Sequence, residues 1–340
     1  MSIRVDAVAK PEAMNHDSSI LDLAFAMDCT GSMGTYISMA QQSINHIVDE
    51  IVSKESSDIR LALVEYRDHP PEDRTFVTRV NDFTPYVSTM KSCLNAARAD
   101  GGGDTPEAVA DALYDVLNLN WRSSATKICV FIADAPPHGL SRGGDRFPDG
   151  CPSGLDPMKT ARQLAERDIT VYMVGCEPSI TPYKHFFMAV AHMTGGQYVP
   201  LTDASSLAKV IIGGAREELS LQRLRLKVDE EIRKEVETKG VVDEDSVSKR
   251  VMNKFRDEGY KTKHITINKL QLKTSTSEAV KYSECSSMAD VKKDFVEAGT
   301  TERSTSSSGD VVDVEEDDIT LEQAKRLVKR SVATRMILKK

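Results

Sequence analysis

The sequence predicts an α/β protein with a doubly wound, mostly parallel six-stranded sheet and helices on both faces. Two observations predict this fold. From Ile20 to about residue 217, short apolar runs of strand length alternate with longer patterns of helical period. The strand runs are apolar at nearly every position, which is typical of parallel strands covered on both faces. Such alternation favours a sheet layered between helices.

The six predicted strands are runs rich in valine, isoleucine and leucine, at residues 21–28, 59–66, 76–83, 127–134, 169–175 and 197–201. The third alternates charged and apolar residues, as an edge strand does. Helix patterns separate most of them, at residues 34–54, 106–117, 156–167 and 181–193. Pro106 and Pro157 stand in first turns, where a missing N–H costs little, and Gly195 is a typical helix stop.

The α/β domain covers residues 20–217, and we expect residues 1–19, which are polar and aperiodic, to form a flexible tail. Residues 218–299 are predicted to be a helical or α+β extension. Its helix patterns begin at residue 215 and at residue 243, a strand pattern begins at residue 261, and a short helix pattern begins at residue 288.

Residues 300–319 are acidic and rich in serine and threonine, which is typical of a disordered linker. A capping box at Thr320 then starts a basic amphipathic helix over residues 320–340. Three interpretations of this helix stay open: docking on an acidic surface, including that of the domain itself, nuclear import, or contact with a membrane surface.

Charge is unevenly distributed along the chain, whose formal net charge is −8. Residues 1–212 contain 18 Lys and Arg against 27 Asp and Glu, whereas residues 213–340 contain 26 against 25. An acidic first domain argues against nucleic acid as its ligand, because phosphate binding needs a basic face.

The sequence also favours a cytoplasmic protein, with a nuclear location as the second possibility. It contains no apolar run long enough to span a membrane, and its N-terminus lacks the apolar core of a signal peptide. The six cysteines form no CxxC pair, so we expect reduced, mostly buried thiols and no zinc site.

A candidate metal site begins where the first strand ends, at Asp28, Thr30 and Ser32. Ligands of open α/β sheets bind at the carboxyl ends of the strands, so these oxygens lie at the correct edge. Oxygen ligands suit a hard cation, Mg²⁺ first and then Mn²⁺ or Ca²⁺.

Two other loops bring oxygens to the same edge. Thr105 follows a glycine-rich stretch at a predicted helix start, and Asp134 ends the fourth strand. Mg²⁺ needs six oxygens, so a protein that supplies only a few of them leaves a position open for a partner's carboxylate. We expect Glu107 to be a first-turn acid favoured by the helix dipole rather than a ligand.

These residues resemble the metal-ion-dependent adhesion site (MIDAS) of von Willebrand factor A (vWA) domains, which have a Rossmann-like fold. The resemblance covers about residues 20–217 and implies that Thr30, Ser32 and Thr105 coordinate through hydroxyls. It further implies that Asp28 and Asp134 act directly or through water.

Three surrounding segments, residues 66–71, 99–104 and 132–139, resemble a narrower branch, the intracellular vWA domains of von Willebrand-type alpha-kinases. Residues 218–340 are too few and too charged for the kinase catalytic domain, so we expect that domain to be missing. Asp104, His69 and His138 lie in these segments or beside them. They are predicted either to support the ligands and contact a partner, or only to hold the loops together.

The preferred function is a non-catalytic protein-binding module in which a bound cation docks an acidic side chain of a protein partner. One alternative is an adaptor whose vWA domain is a scaffold and whose C-terminal helices bind the partner. A less favoured alternative is a Mg²⁺-dependent phosphohydrolase with Asp28 as nucleophile. That chemistry generally needs a second acid two residues further on, where this chain has Thr30.

Overall fold

The computed structural model describes residues 2–4, 17–55, 58–141, 143–272, 275–299 and 311–336. The described strands are β1 (Ser2–Arg4), β2 (Asp17–Asp28), β3 (Asp58–Tyr66), β4 (Thr78–Thr84), β5 (Ala125–Ala133), β6 (Ile169–Cys176), β7 (Tyr198–Leu201), β8 (Val241–Asp243), β9 (Lys261–Ile267), β10 (Leu270–Gln271) and β11 (Val312–Asp318).

The described α-helices are α1 (Gly34–Glu55), α2 (Val87–Ala96), α3 (Val109–Asn118), α4 (Pro157–Glu166), α5 (Lys184–Thr194), α6 (Leu207–Gln222), α7 (Arg225–Lys239), α8 (Glu244–Asp257), α9 (Ser277–Glu284), α10 (Met288–Asp294) and α11 (Leu321–Met336). No helix among these residues is long and apolar enough to cross a membrane.

The central sheet has six strands in the order β4-β3-β2-β5-β6-β7, and only β4 is antiparallel to its neighbour. The predicted fold class is therefore confirmed, with β4 as the predicted edge strand. From β2 the chain first builds outward through β3 and β4, and then outward on the other side through β5, β6 and β7. The point where this order reverses lies between β2 and β5, and such a switch point is where open α/β sheets bind ligands.

Helices cover both faces of the sheet. The core on one face joins the sheet to α1, α2 and α6, and the core on the other face joins it to α3, α4 and α5. Strands β2 and β5 are buried along nearly their whole length because both of their faces are covered, which explains their continuous apolar sequence.

The elements beyond the predicted domain boundary pack onto the sheet domain. Ile265 of β9 and Val312 of β11 join the first core, and Tyr282 of α9 joins the second. Helices α7, α8 and α11 form a third core of their own. The C-terminal region is thus folded around the sheet domain.

The domain boundary predicted at residue 217 falls inside α6, in which Gly213 and Gly214 let the helix approach its neighbours closely. A Cβ atom at Gly213 would lie 3.0 Å from the side chain of Ile265, and one at Gly214 would lie 3.0 Å from the ring of Tyr172. The single helix predicted from residue 215 is instead two helices, α6 and α7.

The terminal segments contain more structure than their composition indicates. In the predicted N-terminal tail, Ser2–Arg4 pairs antiparallel with β8, and β2 begins at Asp17 rather than residue 21. In the predicted linker, β11 pairs with β9 so that Glu316 and Asp318 face Lys263 and Lys261. Opposite charges across strands stabilise such a pair, which explains why an acidic segment is ordered. Residues 5–16 and 300–310 lie outside the described part of the chain.

The basic helix α11 docks on acidic residues of the chain itself, the first of its three interpretations. Arg326 lies 3.0 Å from Glu217 and 3.1 Å from Glu218, and it also donates to the Tyr172 hydroxyl at 2.6 Å. Arg330 forms ion pairs with Asp168 and Glu218. Both arginines are buried, so their partners replace water as the source of hydrogen bonds.

We predict that Arg326→Ala destabilises the protein by about 3–5 kcal/mol, because it leaves Glu217 buried without its cation and removes one of the two arginines that pair with Glu218. The matched control is Lys325→Ala on the same helix, which removes partly exposed ion pairs worth under about 1 kcal/mol. Urea denaturation followed by circular dichroism measures both. Equal effects of the two substitutions would contradict this account of the docking.

Candidate metal centre

The candidate site lies at the carboxyl edge of the sheet, at the switch point between β2 and β5. Three loops meet there: the first loop (residues 28–33), the second loop (residues 97–108) and the third loop (residues 134–156). Parallel pairing places Met27 of β2 beside Ile132 of β5, so the first and third loops leave the sheet side by side.

Asp28 organises the first loop. Its carboxylate is fully buried, and its Oδ1 accepts hydrogen bonds from the Thr30 N–H at 2.9 Å and the Thr30 hydroxyl at 2.7 Å. The Thr30 hydroxyl lies 3.4 Å from that of Ser32, which is exposed. The second oxygen, Asp28 Oδ2, has no hydrogen-bond partner among the described residues. Three predicted ligands are therefore grouped at one turn.

Arg67, just after β3, fastens the first loop to the second. Its Nε donates to the Cys29 carbonyl at 3.1 Å, and its Nη2 donates to the Arg98 carbonyl at 2.8 Å. Its own carbonyl accepts from the Ala108 N–H at 2.8 Å. Gly31 N–H also donates to the Gly101 carbonyl at 3.2 Å. The relative position of the two loops is thus fixed by backbone groups and one buried guanidinium.

The glycines of the second loop permit this approach. Gly102 has φ +81°, which strains any residue with a Cβ, and a Cβ there would lie 2.8 Å from Glu107 Oε1 and 3.2 Å from Thr30 Cβ. Thr105 is exposed on this loop. Its role as a ligand stays a prediction.

Glu107 does not lie in a helical first turn, so that part of its prediction is wrong. Helix α3 begins at Val109, two residues later than the first-turn interpretation requires. Instead the Glu107 N–H donates to the Pro136 carbonyl at 2.9 Å, so the residue bridges to the third loop. Its side chain is only 4% exposed, and Oε2 has no partner within the described residues. It belongs with the candidate ligands, and its position two residues after Thr105 was the available signal.

Asp134 opens the third loop and completes the set. It is buried, it hydrogen-bonds with Ser32 of the first loop, and its Oδ1 lacks a partner in the described part of the chain. Of the four residues predicted to converge from three loops, Asp28, Ser32 and Asp134 therefore lie together, and the convergence of Thr105 stays a prediction.

A second acidic group adjoins the first. Asp68, Asp104 and His138 offer atoms that all lie within 4.8 Å of one another. His138 Nε2 lies 2.7 Å from Asp68 Oδ1, and its Nδ1 lies 3.0 Å from Asp145 Oδ1. Burial opposes the charged form of His138, but the two carboxylates raise its pKa to about 9. With 3% of its surface exposed, His138 holds loops together and is too buried to contact a partner.

His69 pairs with an acid that is not among the predicted ligands. Its Nε2 lies 2.9 Å from Asp111 Oδ2, and it is as buried as His138. Of the three supporting residues predicted from the sequence, the structure brings Asp104 and His138 together beside the site and places His69 in a neighbouring cluster.

The electrostatics of this edge are those of a cation site. Burial and then the charge of Asp134 raise the pKa of Asp28 to about 7, and burial followed by Asp28 raises the pKa of Glu107 to about 11. Burial also raises the pKa values of Asp104, to about 6, and of Asp134.

Each of five acids has one buried oxygen without a partner among the residues described: Asp28 Oδ2, Asp68 Oδ2, Asp104 Oδ1, Glu107 Oε2 and Asp134 Oδ1. Buried polar atoms are rarely left unpaired, and five such atoms at one edge need an explanation. Carboxylate and hydroxyl oxygens are the ligands that Mg²⁺ and Mn²⁺ prefer. The residues present therefore fit a hard divalent cation.

The chain is similar to proteins of one domain family. Residues 22–142 match the family model of the von Willebrand factor A domain. An ariadne-like RING finger protein of Acanthamoeba polyphaga mimivirus is 30% identical over 215 residues, which are 58% of this chain and 20% of that protein. Alpha-protein kinase vwkA of Dictyostelium discoideum is 32% identical over 146 residues, 41% of this chain and 22% of that protein. The chain spans about a fifth of the length of these relatives.

Solved structures are also similar. A von Willebrand factor type A protein from Catenulispora acidiphila has a TM-score of 0.44 and 17% identity, over 59% of this chain and 43% of that one. The pilus adhesin SpaC from Lactobacillus rhamnosus GG has a TM-score of 0.44 and 11% identity, over 59% of this chain and 31% of that one.

The sheet order and the carboxylate site define a doubly wound α/β module that presents a ligand site at its switch point. The family match identifies this module: the chain contains a von Willebrand factor A domain. The predicted resemblance, including that to the vWA domains of alpha-kinases, is confirmed at the level of the domain. Domains of this family are in general protein-interaction modules, and they commonly bind divalent metals.

We predict that Asp28→Asn melts at a higher temperature than the wild type in EDTA, because it removes one buried like charge and keeps the Oδ1 acceptor for Thr30. Saturating Mg²⁺ should reverse the order, since only the wild type gains stability from binding. Differential scanning calorimetry measures both. The control is Asp149→Asn, an exposed acid on the third loop, which should leave the melting temperature unchanged. A lower melting temperature for Asp28→Asn in EDTA would contradict the electrostatic account.

A second prediction concerns pH. The pKa of His138 rises from 6.5 to about 9 on folding, so its ion pairs contribute fully below pH 6.5 and are lost as pH rises through about 9. His138→Gln should remove this dependence, while His46→Gln, at an exposed position of α1, should keep it. Melting temperatures measured across this pH range in EDTA check the difference. Parallel curves for wild type and His138→Gln would refute it.

Proposed function

We propose that the vWA domain is a non-catalytic docking module that depends on a divalent cation, Mg²⁺ or Mn²⁺. The supporting observation is the group of buried carboxylates with unpaired oxygens beside exposed hydroxyls at the carboxyl edge. The residues that would hold the cation are Asp28, Thr30, Ser32, Thr105 and Asp134, to which the structure adds Glu107.

The bound cation would supply a Lewis-acidic position for one carboxylate oxygen of a protein partner. Ser32 and Thr105 are exposed, so a partner's Glu or Asp side chain can approach from solvent. The buried acids Asp28, Glu107 and Asp134 would hold negative charge next to the cation without contacting the partner. Arg67 and the hydrogen bonds between the loops keep the backbone of the site in place.

A non-catalytic role is supported by two residues near Asp28, namely Thr30 and His138. Thr30 stands where an aspartyl phosphatase needs its second acid. His138, the histidine beside the site, has both ring nitrogens engaged by carboxylates. Neither residue is placed to transfer a proton to or from a substrate.

The adaptor alternative receives less support. The C-terminal helix was a candidate partner surface because it is basic, but Arg326 and Arg330 are buried in ion pairs with the chain itself. We therefore assign partner binding to the carboxyl edge of the sheet. The cytoplasmic location predicted from the sequence stays a prediction.

We predict that Thr105→Ala weakens Mn²⁺ binding at least about tenfold, since even partners of metal ligands typically contribute that much to affinity. Thr105→Ser keeps a hydroxyl and should bind like the wild type. Isothermal titration calorimetry with Mn²⁺ measures these affinities, and Thr89→Ala, at an exposed threonine of α2, is the control.

The open position is tested with bound Mn²⁺ as the probe. Water-proton relaxation should fall when a glutamate-containing peptide replaces metal-bound water, and a matched glutamine peptide should leave it unchanged. Mn²⁺ binding that ignores both Asp28→Ala and Thr105→Ala, or equal effects of the two peptides, would overturn the proposal.

A further inference from the structure

A separate group of three different metal-ligating side chains lies beside the Asp28 site. His69 follows β3, Asp111 lies in the first turn of α3, and Cys151 lies on the third loop; together they are called the His69 cluster. His69 Nε2 is 2.9 Å from Asp111 Oδ2, Cys151 Sγ is 3.1 Å from the same oxygen, and Cys151 Sγ is 3.8 Å from His69 Nε2. The three atoms therefore form a small, closed triangle.

This triangle has the dimensions of a metal-ligand set. Typical zinc bond lengths to nitrogen, sulfur and oxygen place tetrahedral ligand atoms about 3.3–3.6 Å apart. The three separations bracket that range, so small side-chain rotations would suffice to seat an ion. The atoms come from three separate elements, whose backbones the surrounding fold already positions.

The same geometry argues against a nucleophilic triad. A catalytic histidine uses one ring nitrogen for the nucleophile and the other for the orienting acid. In the His69 cluster a single nitrogen, Nε2, faces both the Asp111 carboxylate and the Cys151 thiol. The three groups converge on one point, which suits a shared ion rather than a relay of protons.

The ligand types select the ion. Thiolate and imidazole favour borderline-soft metals such as Zn²⁺, whereas Mg²⁺ takes oxygen ligands. Cys151 as thiolate, Asp111 as carboxylate and neutral His69 would balance the two charges of Zn²⁺. On binding, the proton that the Cys151 thiol donates to Asp111 is released to solvent, and no bond to carbon changes.

The surroundings favour an ordered site with one open side. His69 and Asp111 are buried, and Cys151 is half-buried, so an ion can enter from the side of the thiol. Ser153 hydrogen-bonds with Asp111, and the Phe147 ring packs edge-on against His69. Such outer contacts hold ligands in place and shield the site from bulk water.

We propose that His69, Asp111 and Cys151 form a second metal site, for Zn²⁺, with water as the fourth ligand. An ion there would join the third loop to α3 and to the segment after β3. Asp68, which contacts His138 beside the Asp28 site, is the neighbour of His69 in sequence. The zinc site would thus brace one wall of the carboxyl edge while being chemically distinct from it.

The test is zinc titration of the full chain against a chromophoric chelator, with Co²⁺ as a spectroscopic probe. We expect one equivalent of tightly bound Zn²⁺, and a near-ultraviolet thiolate-to-cobalt absorption band after Co²⁺ replaces it. Cys151→Ser and His69→Gln should each weaken Zn²⁺ binding at least about tenfold and remove or shift that band. Cys285→Ser, at a second half-buried cysteine, and Asp28→Ala should change neither.

Thermal unfolding separates a ligand from a merely structural residue. Cys151→Ser keeps a hydrogen-bond donor toward Asp111, so it should melt like the wild type in EDTA but gain no stability from Zn²⁺. A cobalt spectrum without a thiolate band, or Zn²⁺ affinity equal in wild type, Cys151→Ser and His69→Gln, would overturn the proposal. Loss of Zn²⁺ binding in Asp28→Ala would refute a distinct site.

Discussion

The arrangement depends on one constraint: several carboxylates are held together, out of water, at the switch point of the sheet. Two like charges 4 Å apart near a protein surface repel by about 4 kcal/mol, several times the roughly 1 kcal/mol net contribution of a typical hydrogen bond. The acids can therefore be ionised together only when a cation offsets them. Burial first, and neighbouring carboxylates second, raise the pKa values of Asp28, Asp104 and Glu107.

The loops supply the rigidity that this arrangement requires. Arg67 ties the first and second loops through carbonyl groups rather than through the candidate ligands. His138 has an equivalent position between the third loop and Asp68. Arg67 binds carbonyl groups, and His138 binds Asp68 and Asp145. These cations therefore fix the loops, while the unpaired oxygens of Asp28, Glu107 and Asp134 stay available. The site is thereby organised before any ligand arrives.

The sheet domain was predictable because its signals are local and redundant. Apolar strands, proline at helix starts and Asp28 at a strand end each indicate the same layered fold, and all six strands are present. Contacts between residues that are far apart in the sequence were harder to predict. No local sequence pattern shows that Gly213 lies in close contact with Ile265. Residues 312–318 looked like linker because acidic composition does not reveal the lysines across the strand.

The site residues also divide into those that local sequence signals predict and those that depend on contacts between distant segments. Asp28, Thr30 and Ser32 form a contiguous motif, and Asp134 is marked by its strand. All four lie together in the structure. Glu107 was missed because its role depends on α3 beginning at Val109 and on a bridge to Pro137. The His69 cluster was also invisible in the sequence. Cys151 is 82 residues from His69 and 40 from Asp111, far from any zinc motif spacing.

The acids of the sheet domain form two groups, one that pairs with the C-terminal helix α11 and one that lies at the candidate metal centre. Arg326 and Arg330 of α11 bind near the amino edge of the sheet, where Asp168 precedes β6 and Gln197 precedes β7. The candidate metal centre is at the opposite, carboxyl edge. There, Asp28, Glu107 and Asp134 each keep one oxygen without a hydrogen-bond partner among the described residues. The two arginines of α11 thus neutralise acids at the amino edge, and the proposed docking function requires acids at the carboxyl edge that stay available to attract a cation.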